Sequence, residues 1–340
     1  MEYFRSRFVE DLNEAGPVKI ASSEWLPAEV FQTMSEADYE ATFVEYVAEK
    51  KAEAVDRARQ FLAKYDCVDR FNRLHTLLMN DRLLPFVGAG LSIPSGFPGW
   101  RQFLVGLTIE YPSTEAAVTA LLDESRFEEA AQALLDRMGP VVFSEAIQNK
   151  FGTRQRPILG PVRLLPELFG RGCITTNFDY VLDQVFDQSP RPFVDTFGGA
   201  KLMEAPRRLA ETYHCLLRLH GEADSEEGRV LTSAEYDRQY ERGQYPELLK
   251  VLIGNAGLLF LGCSLSVDRT IQALRDAKVG GAVQTPRHYA FLPMNDNVDR
   301  EARRDELGHA DIHPIWYPAD DHDQAIEDLL IALMEGGFHA

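Results

Sequence analysis

LLPFVGAGLSIPSGFPGW, residues 83–100, is the stretch that decides the fold. Four apolar residues, interrupted only by Pro85, run into Gly88, Gly90, Ser92, Ser95, Gly96, Pro98 and Gly99 before Trp100 opens a helical pattern. An apolar run that ends in glycine reads as a buried strand feeding a tight turn. Glycines there let the backbone bring its N–H groups against a bulky anion, so the turn reads as a pyrophosphate seat. Its spacing departs from both common forms. Ile93 stands where G-x-G-x-x-G has its third glycine, and no Gly-Lys-Ser/Thr follows for a P-loop. GAG alone is equally well a plain turn in an open α/β sheet. The Ser, Pro and Gly continuation tips the reading towards a flap that closes over a ligand.

Outward from this stretch, short apolar runs alternate with helical ones, the pattern of a parallel sheet covered on both faces. Strands are expected at 83–89, 172–178, 215–221, 257–263, 288–292 and 312–317. Helices are expected around 100–110, 114–122, 126–137, 141–150 and 159–169, which makes 100–170 a helical subdomain inserted after the first strand. Residues 35–80 are helical in pattern, with Phe43, Val44, Tyr46 and Val47, then Val55, Ala58, Phe61 and Leu62 near three-to-four spacing. Residues 1–34, with weaker periodicity and two prolines, read as an arm whose order depends on a partner. The expected architecture is an α/β, Rossmann-like domain over 81–340, preceded by an N-terminal arm and helical extension over 1–80. A last helix, 323–336, stops at Gly336 and Gly337.

At 340 residues and 45% hydrophobic, the chain is long enough to bury a sizeable core. No run of eighteen apolar residues occurs and the start lacks the layout of a secretory signal, so a soluble cytoplasmic protein is expected, with no membrane partner. Cys67, Cys173, Cys215 and Cys263 are scattered without a C-x-x-C pair, which argues against zinc and redox exchange. A net charge of -18, from 53 acids against 35 bases, repels phosphate backbones, so direct nucleic-acid binding is not expected.

Polar residues close three further strands. In ITTNFDYVLD (174–183), Asn177 sits at the carboxyl end of a central strand, where open α/β sheets bind ligands, while Asp179 is equally well a helix cap. In LLRLHG (216–221), His220 is either a satisfied structural residue or a proton acceptor. In LLFLGCSLSVD (258–268), Gly262 and Ser264 suit a ribose or adenine contact, and Ser264 and Ser266 are also candidate caps for a helix over 267–277.

Taken in this order, the motifs resemble those of the sirtuins, and more closely the bacterial sirtuin-like NAD hydrolases of antiphage defence. GAGLS with GFPGW is similar to the family's Gly-Ala-Gly-x-Ser start, TTNFD to its Thr-Gln-Asn-x-Asp, LHG to its His-Gly, and GCS to its Gly-Thr/Ser-Ser. The similarity runs from Leu83 to Tyr317. It implies that Gly88, Ala89, Gly90 and Ser92 hold the pyrophosphate and that Gly262 and Ser264 contact the adenosine ribose. It also implies that Asn177 places the attacking oxygen, Asp179 supports the nicotinamide pocket and His220 is the general base. Pro98, Gly99, Trp100 and Arg101 stand where sirtuins have Pro-x-Phe-Arg. Trp100 then stacks near the nicotinamide ribose and Arg101 answers a phosphate, or both are structural.

Protein-deacylating sirtuins carry two C-x-x-C pairs after His-Gly, whereas residues 222–261 contain no cysteine. No structural zinc and no metal are therefore implied, and the surface that clamps an acyl-lysine peptide is in doubt. With water as acceptor, NAD is the substrate and nicotinamide and ADP-ribose are the products. That implies an effector that depletes NAD in antiviral defence by abortive infection. The competing readings are a protein deacylase or ADP-ribosyltransferase, and a non-catalytic NAD or ADP-ribose sensing module. Defence proteins of this kind work as assemblies, which implies a homo-oligomer and an activating partner such as a HerA-type hexameric ATPase or an Argonaute-like protein.

Overall fold

The computed structural model describes residues 1–211, 214–241, 245–265, 269–279, 286–295 and 299–338. An exposed antiparallel hairpin, β1 (Val18–Ile20) and β2 (Ser23–Trp25), lies in the N-terminal region. The sheet proper contains β3 (Leu83–Val87), β4 (Gly172–Thr175), β5 (Asp195–Gly198), β6 (Cys215–Arg218), β7 (Gly257–Leu261), β8 (His288–Met294) and β9 (Ile312–Pro318). These seven strands pair in the order β5-β6-β4-β3-β7-β8-β9, and every ladder is parallel. The six strands expected from apolar runs are all present, in an α/β, Rossmann-like sheet. β3, β4, β6 and β7 are buried along their whole length, as strands covered on both faces must be.

Two features escape the periodicity. β5 is an edge strand of sequence DTFG in which only Phe197 is buried, so it carries almost no apolar signal. Pro85 lies inside a central strand, a position that proline usually avoids because it donates no N–H. The β3–β7 ladder runs unbroken from Leu83 to Val87, whereas the β3–β4 ladder begins only at Phe86. The missing donor thus falls where β4 has not yet joined.

From β3 the chain passes to β4, on to the edge strand β5 and back to β6 between them, then crosses to β7, β8 and β9 on the other side. β3 and β7 are therefore neighbours at the point where the winding reverses, the position at which such sheets bind ligands beyond their carboxyl ends. Between β3 and β4 lie the helices Trp100–Thr108, Glu115–Asp123, Phe127–Met138 and Pro140–Phe151, close to the expected bounds. The single helix expected over 159–169 is instead a 3-10 turn, Pro161–Leu164, followed by Leu165–Leu168. Pro161 and Pro166 each remove a backbone donor and keep both pieces short.

The helical extension is built into the body of the domain. Glu36–Lys64 starts with Ser35 accepting the Asp38 N–H at 3.3 Å, and it packs along the C-terminal helix His322–Met334 and against β9. Arg57 and Asp328 form a two-pronged ion pair across that contact, at 2.8 and 2.9 Å. Residues 1–34 are not, as a whole, a partner-dependent arm. Glu2–Leu12 is a helix whose Tyr3, Phe4 and Phe8 are buried, with the Phe8 ring 5.2 Å from Tyr39 and 5.5 Å from Phe43. Positions 4 and 8 lie one turn apart on one face, so three aromatic residues suffice to seat a short helix with little other periodicity. Among the described residues, no helix is long and apolar enough to cross a membrane.

Phe8 is the keystone of this seat. Phe8→Ala should lower the unfolding free energy by about 3–5 kcal/mol, the range for deleting a buried aromatic side chain, measured by urea denaturation.

Candidate active site

Parallel pairing brings the four polar or glycine-rich strand ends to one rim. β6, β4, β3 and β7 are consecutive neighbours, and His220, Asn177, Gly88 and Gly262 each follow their strand by one or two residues. Thr175 and Arg218 are registered partners at the ends of β4 and β6, and Asn177 and His220 each follow two residues later, beyond the ladder. Both side chains are buried, each with about 4% exposure.

The loop after β4 is fastened at several points. Thr175 Oγ1 donates to Val87 O (2.8 Å) and accepts the Asn177 N–H (3.0 Å), tying β4 to β3 beside the site. Asn177 Nδ2 donates to Ser92 Oγ at 3.2 Å, which joins this loop to the flap after β3. Asn177 Oδ1 is buried and has no hydrogen-bond partner among the described residues. A buried carboxamide oxygen without a donor calls for an explanation, and a ligand or oriented water is one that the position offers.

Asp179 Oδ1 accepts the N–H of Val181 (3.0 Å), the first residue of the helix Val181–Asp187, from the position before the N-cap Tyr180. Burial raises its pKa, opposed by the Val181 N–H, by the Ser92 hydroxyl and by Arg218.

The sequence reading passed over Arg218, which is almost wholly buried in β6. Its guanidinium donates to Asn177 O (3.2 Å) and twice to Asp179 O (3.0 Å each), and it pairs with the Asp183 carboxylate. Arg218 therefore holds the backbone on which Asn177 stands. Its signal was a single charged residue inside the apolar run CLLRLHG.

His220 Nε2 lies 3.0 Å from Tyr240 Oη, and the ring sits edge-on to Tyr236 with centroids 5.3 Å apart. Burial lowers its pKa from the usual 6.5 to about 3, so the imidazole is neutral at physiological pH.

The glycines do a different first job from the one expected of them. Gly88 N–H donates to Leu261 O (2.8 Å) and Gly90 N–H to Gly262 O (2.9 Å), so both donors serve the neighbouring loop. A Cβ on Gly88 would stand 2.6 Å from Gly262 O, and one on Gly90 would stand 2.8 Å from Gly262 Cα. Close approach of two backbones is what requires glycine here.

The remaining candidates divide. Pro98 is buried. Trp100 belongs to an aromatic cluster, with its ring 4.9 Å from Phe178 and 5.5 Å from Phe151, and it braces the residue next to Asn177. Arg101 is exposed and pairs with Asp123, so the structure gives its charge a surface partner. Ser264 is exposed, and its carbonyl accepts from Arg303 at 2.9 Å. Ser266 lies outside the described residues. Among the described residues, no cluster of three or more His, Cys, Asp or Glu side chains is arranged to hold a metal ion.

A Rossmann-like parallel sheet with Asn177 and His220 on one rim is the setting in which a family comparison gains meaning. Residues 171–315, which include Asn177, His220 and Gly262, match the family model of a SIR2-like domain. Over 237 residues, 68% of its length, the chain is 25% identical to the NAD(+) hydrolase ThsA of Cytobacillus dafuensis, and the match spans 44% of that protein.

The neutral state of His220 has a measurable cost in acid. In the unfolded chain the ring titrates near 6.5, whereas in the folded chain it stays neutral to about 3. Its contribution to stability is therefore intact above the unfolded value. It is lost at about 1.4 kcal/mol per pH unit as pH falls from there towards the folded one. Unfolding free energies of wild type and His220→Gln, measured by urea between about pH 6 and pH 4, should diverge with that slope, the variant being the flatter. Equal slopes would mean that the ring is not held neutral.

Proposed function

We propose that the chain is an NAD+ glycohydrolase that cleaves the nicotinamide–ribose bond and delivers ADP-ribose to water. The observation that carries this reading is the buried, unpartnered Oδ1 of Asn177 two residues beyond β4, with the neutral His220 two residues beyond the neighbouring β6. The SIR2-like match over these residues and the activity named for ThsA support it.

Nicotinamide leaves as a neutral molecule, and positive charge develops on the sugar. The protein needs to hold the dinucleotide, place one oxygen and exclude other nucleophiles. In this reading Asn177 Oδ1 accepts from the attacking water and orients it, and His220 takes its proton. Ser92 fixes the carboxamide, and the backbone around Ala89 lies alongside the pyrophosphate. A neutral imidazole keeps one nitrogen lone pair to accept that proton and does not repel the cationic sugar.

The same reading makes the chain a cytoplasmic effector of antiviral defence that drains NAD, works as a homo-oligomer and is gated by an activating protein.

Purified chain incubated with NAD alone should release nicotinamide, followed by chromatography. Asn177→Ala and His220→Ala should each lower the rate by roughly a hundredfold or more. Release only after an acylated peptide or another protein acceptor is added would replace hydrolysis by group transfer. Binding of NAD without any cleavage would make the chain a sensor.

A further inference from the structure

A histidine that acts as a base needs one ring nitrogen with its lone pair available and the other protonated. Which nitrogen plays which part is set by what the far side of the ring touches. In this structure the far side is Tyr240. Its Oη lies 3.0 Å from His220 Nε2 and 2.8 Å from Thr270 Oγ1, so three side chains form one hydrogen-bonded row. All three are buried. Nδ1 of His220 makes no hydrogen bond to any described residue.

The backbone is built to deliver Tyr240. Thr232 and Glu235 form a reciprocal cap that starts the short helix Ser233–Tyr236, and a π-helical turn, Asp237–Glu241, follows directly. The wider turn lets Tyr240 stack on Tyr236, with centroids 5.5 Å apart and planes inclined by 29°, while Tyr236 faces the edge of His220. Such π-turns are uncommon overall and frequent at functional sites. Thr270 comes from a different element, the helix Arg269–Val279 that follows β7. The row therefore links the β6 end of the rim to the β7 side.

This row rests on the hydrolase reading for its catalytic meaning. We infer that Tyr240 is a positioning residue: it accepts the His220 Nε2–H, donates its own proton to Thr270 Oγ1, and so leaves Nδ1 as the nitrogen that acts as base. As water bonds to the anomeric carbon, the glycosidic electron pair departs with nicotinamide and the water proton passes to Nδ1. The Nε2 proton stays in place, and the imidazolium returns its extra proton to solvent. ADP-ribose, nicotinamide and one proton balance NAD+ and water.

A phenol suits this position better than the carboxylate found beside many catalytic histidines. It fixes the tautomer without adding a negative charge that would draw the ring into its charged form at rest. The opposite arrangement, in which Tyr240 donates to Nε2, would place the proton on Nδ1 and leave His220 as a donor rather than a base.

The full chain labelled with 15N-histidine distinguishes the two by NMR, the His220 signals being assigned by their absence in His220→Gln. The expected spectrum has a pyridine-type Nδ1 and a protonated Nε2. In Tyr240→Phe the two tautomers should mix, and kcat should fall roughly tenfold to a hundredfold while KM stays within about twofold. Thr270→Val, which keeps Tyr240 in place, should give a smaller change in the same direction. A wild-type ring protonated at Nδ1 overturns the proposal, as does a Tyr240→Phe enzyme with unchanged spectrum and kcat. Should Tyr240→Phe not fold, the wild-type and Thr270→Val spectra decide. The tautomer is read without NAD, so an absence of hydrolysis would count against the hydrolase reading alone.

Discussion

The near-contact of two backbones, at Gly88–Gly90 and at Gly262, is the constraint from which the rest of the site follows. β3 and β7 are neighbours only because the winding of the sheet reverses between them, and their loops must pass each other with no side chain in between. Two N–H groups then reach across to Leu261 and Gly262, and the contact is closed by hydrogen bonds as well as by shape. With this crossing fixed, Ser92 falls within reach of Asn177, and the flap after β3 becomes part of the floor of the rim.

On this floor the chain buries an unusual amount of polarity. Ser92, Thr175, Asn177, Asp179, Arg218 and His220 are all inaccessible or nearly so. Burying such groups is costly unless each finds a partner, and almost every one does. Two atoms of this set are left without a partner among the described residues, Arg218 Nε and the carboxamide oxygen of Asn177, and only the second is an acceptor. Arg218 is the only formal cation among these six, and its charge is met by three contacts to backbone carbonyls and by Asp183. The imidazole nearby avoids charge altogether. For the NAD+ proposed as substrate, whose nicotinamide ring is cationic, a rim ordered this way presents no second cation at His220.

Much of this was legible in the sequence because it rests on strong local signals. Apolar runs ending in Gly, Asn or His mark both a buried strand and its carboxyl end, so the placing of these residues along one edge of the sheet follows from pattern alone. What was not legible is the work done between elements. Nothing in GAG says that its donors serve a loop some 170 residues further on, as they do at Leu261 and Gly262. Tyr240 and Thr270 become partners of His220 only through a π-turn and a helix that no periodicity announces. The aromatic residues of Glu2–Leu12 looked like a loose arm because a three-residue stripe is too short to register, although it packs as firmly as the longer helices.

Arg218 shows how narrow the choice at a buried position can be. A planar fork reaches two carbonyls of one loop and a carboxylate one helical turn beyond, all from a strand that otherwise holds aliphatic side chains. Lysine, with a single nitrogen at the end of its stem, has the same charge but could satisfy only part of that set from one point. An exchange commonly regarded as mild would therefore leave the peptide groups beside Asn177 without their donor, and this β6 position is reserved for guanidinium by geometry rather than by charge.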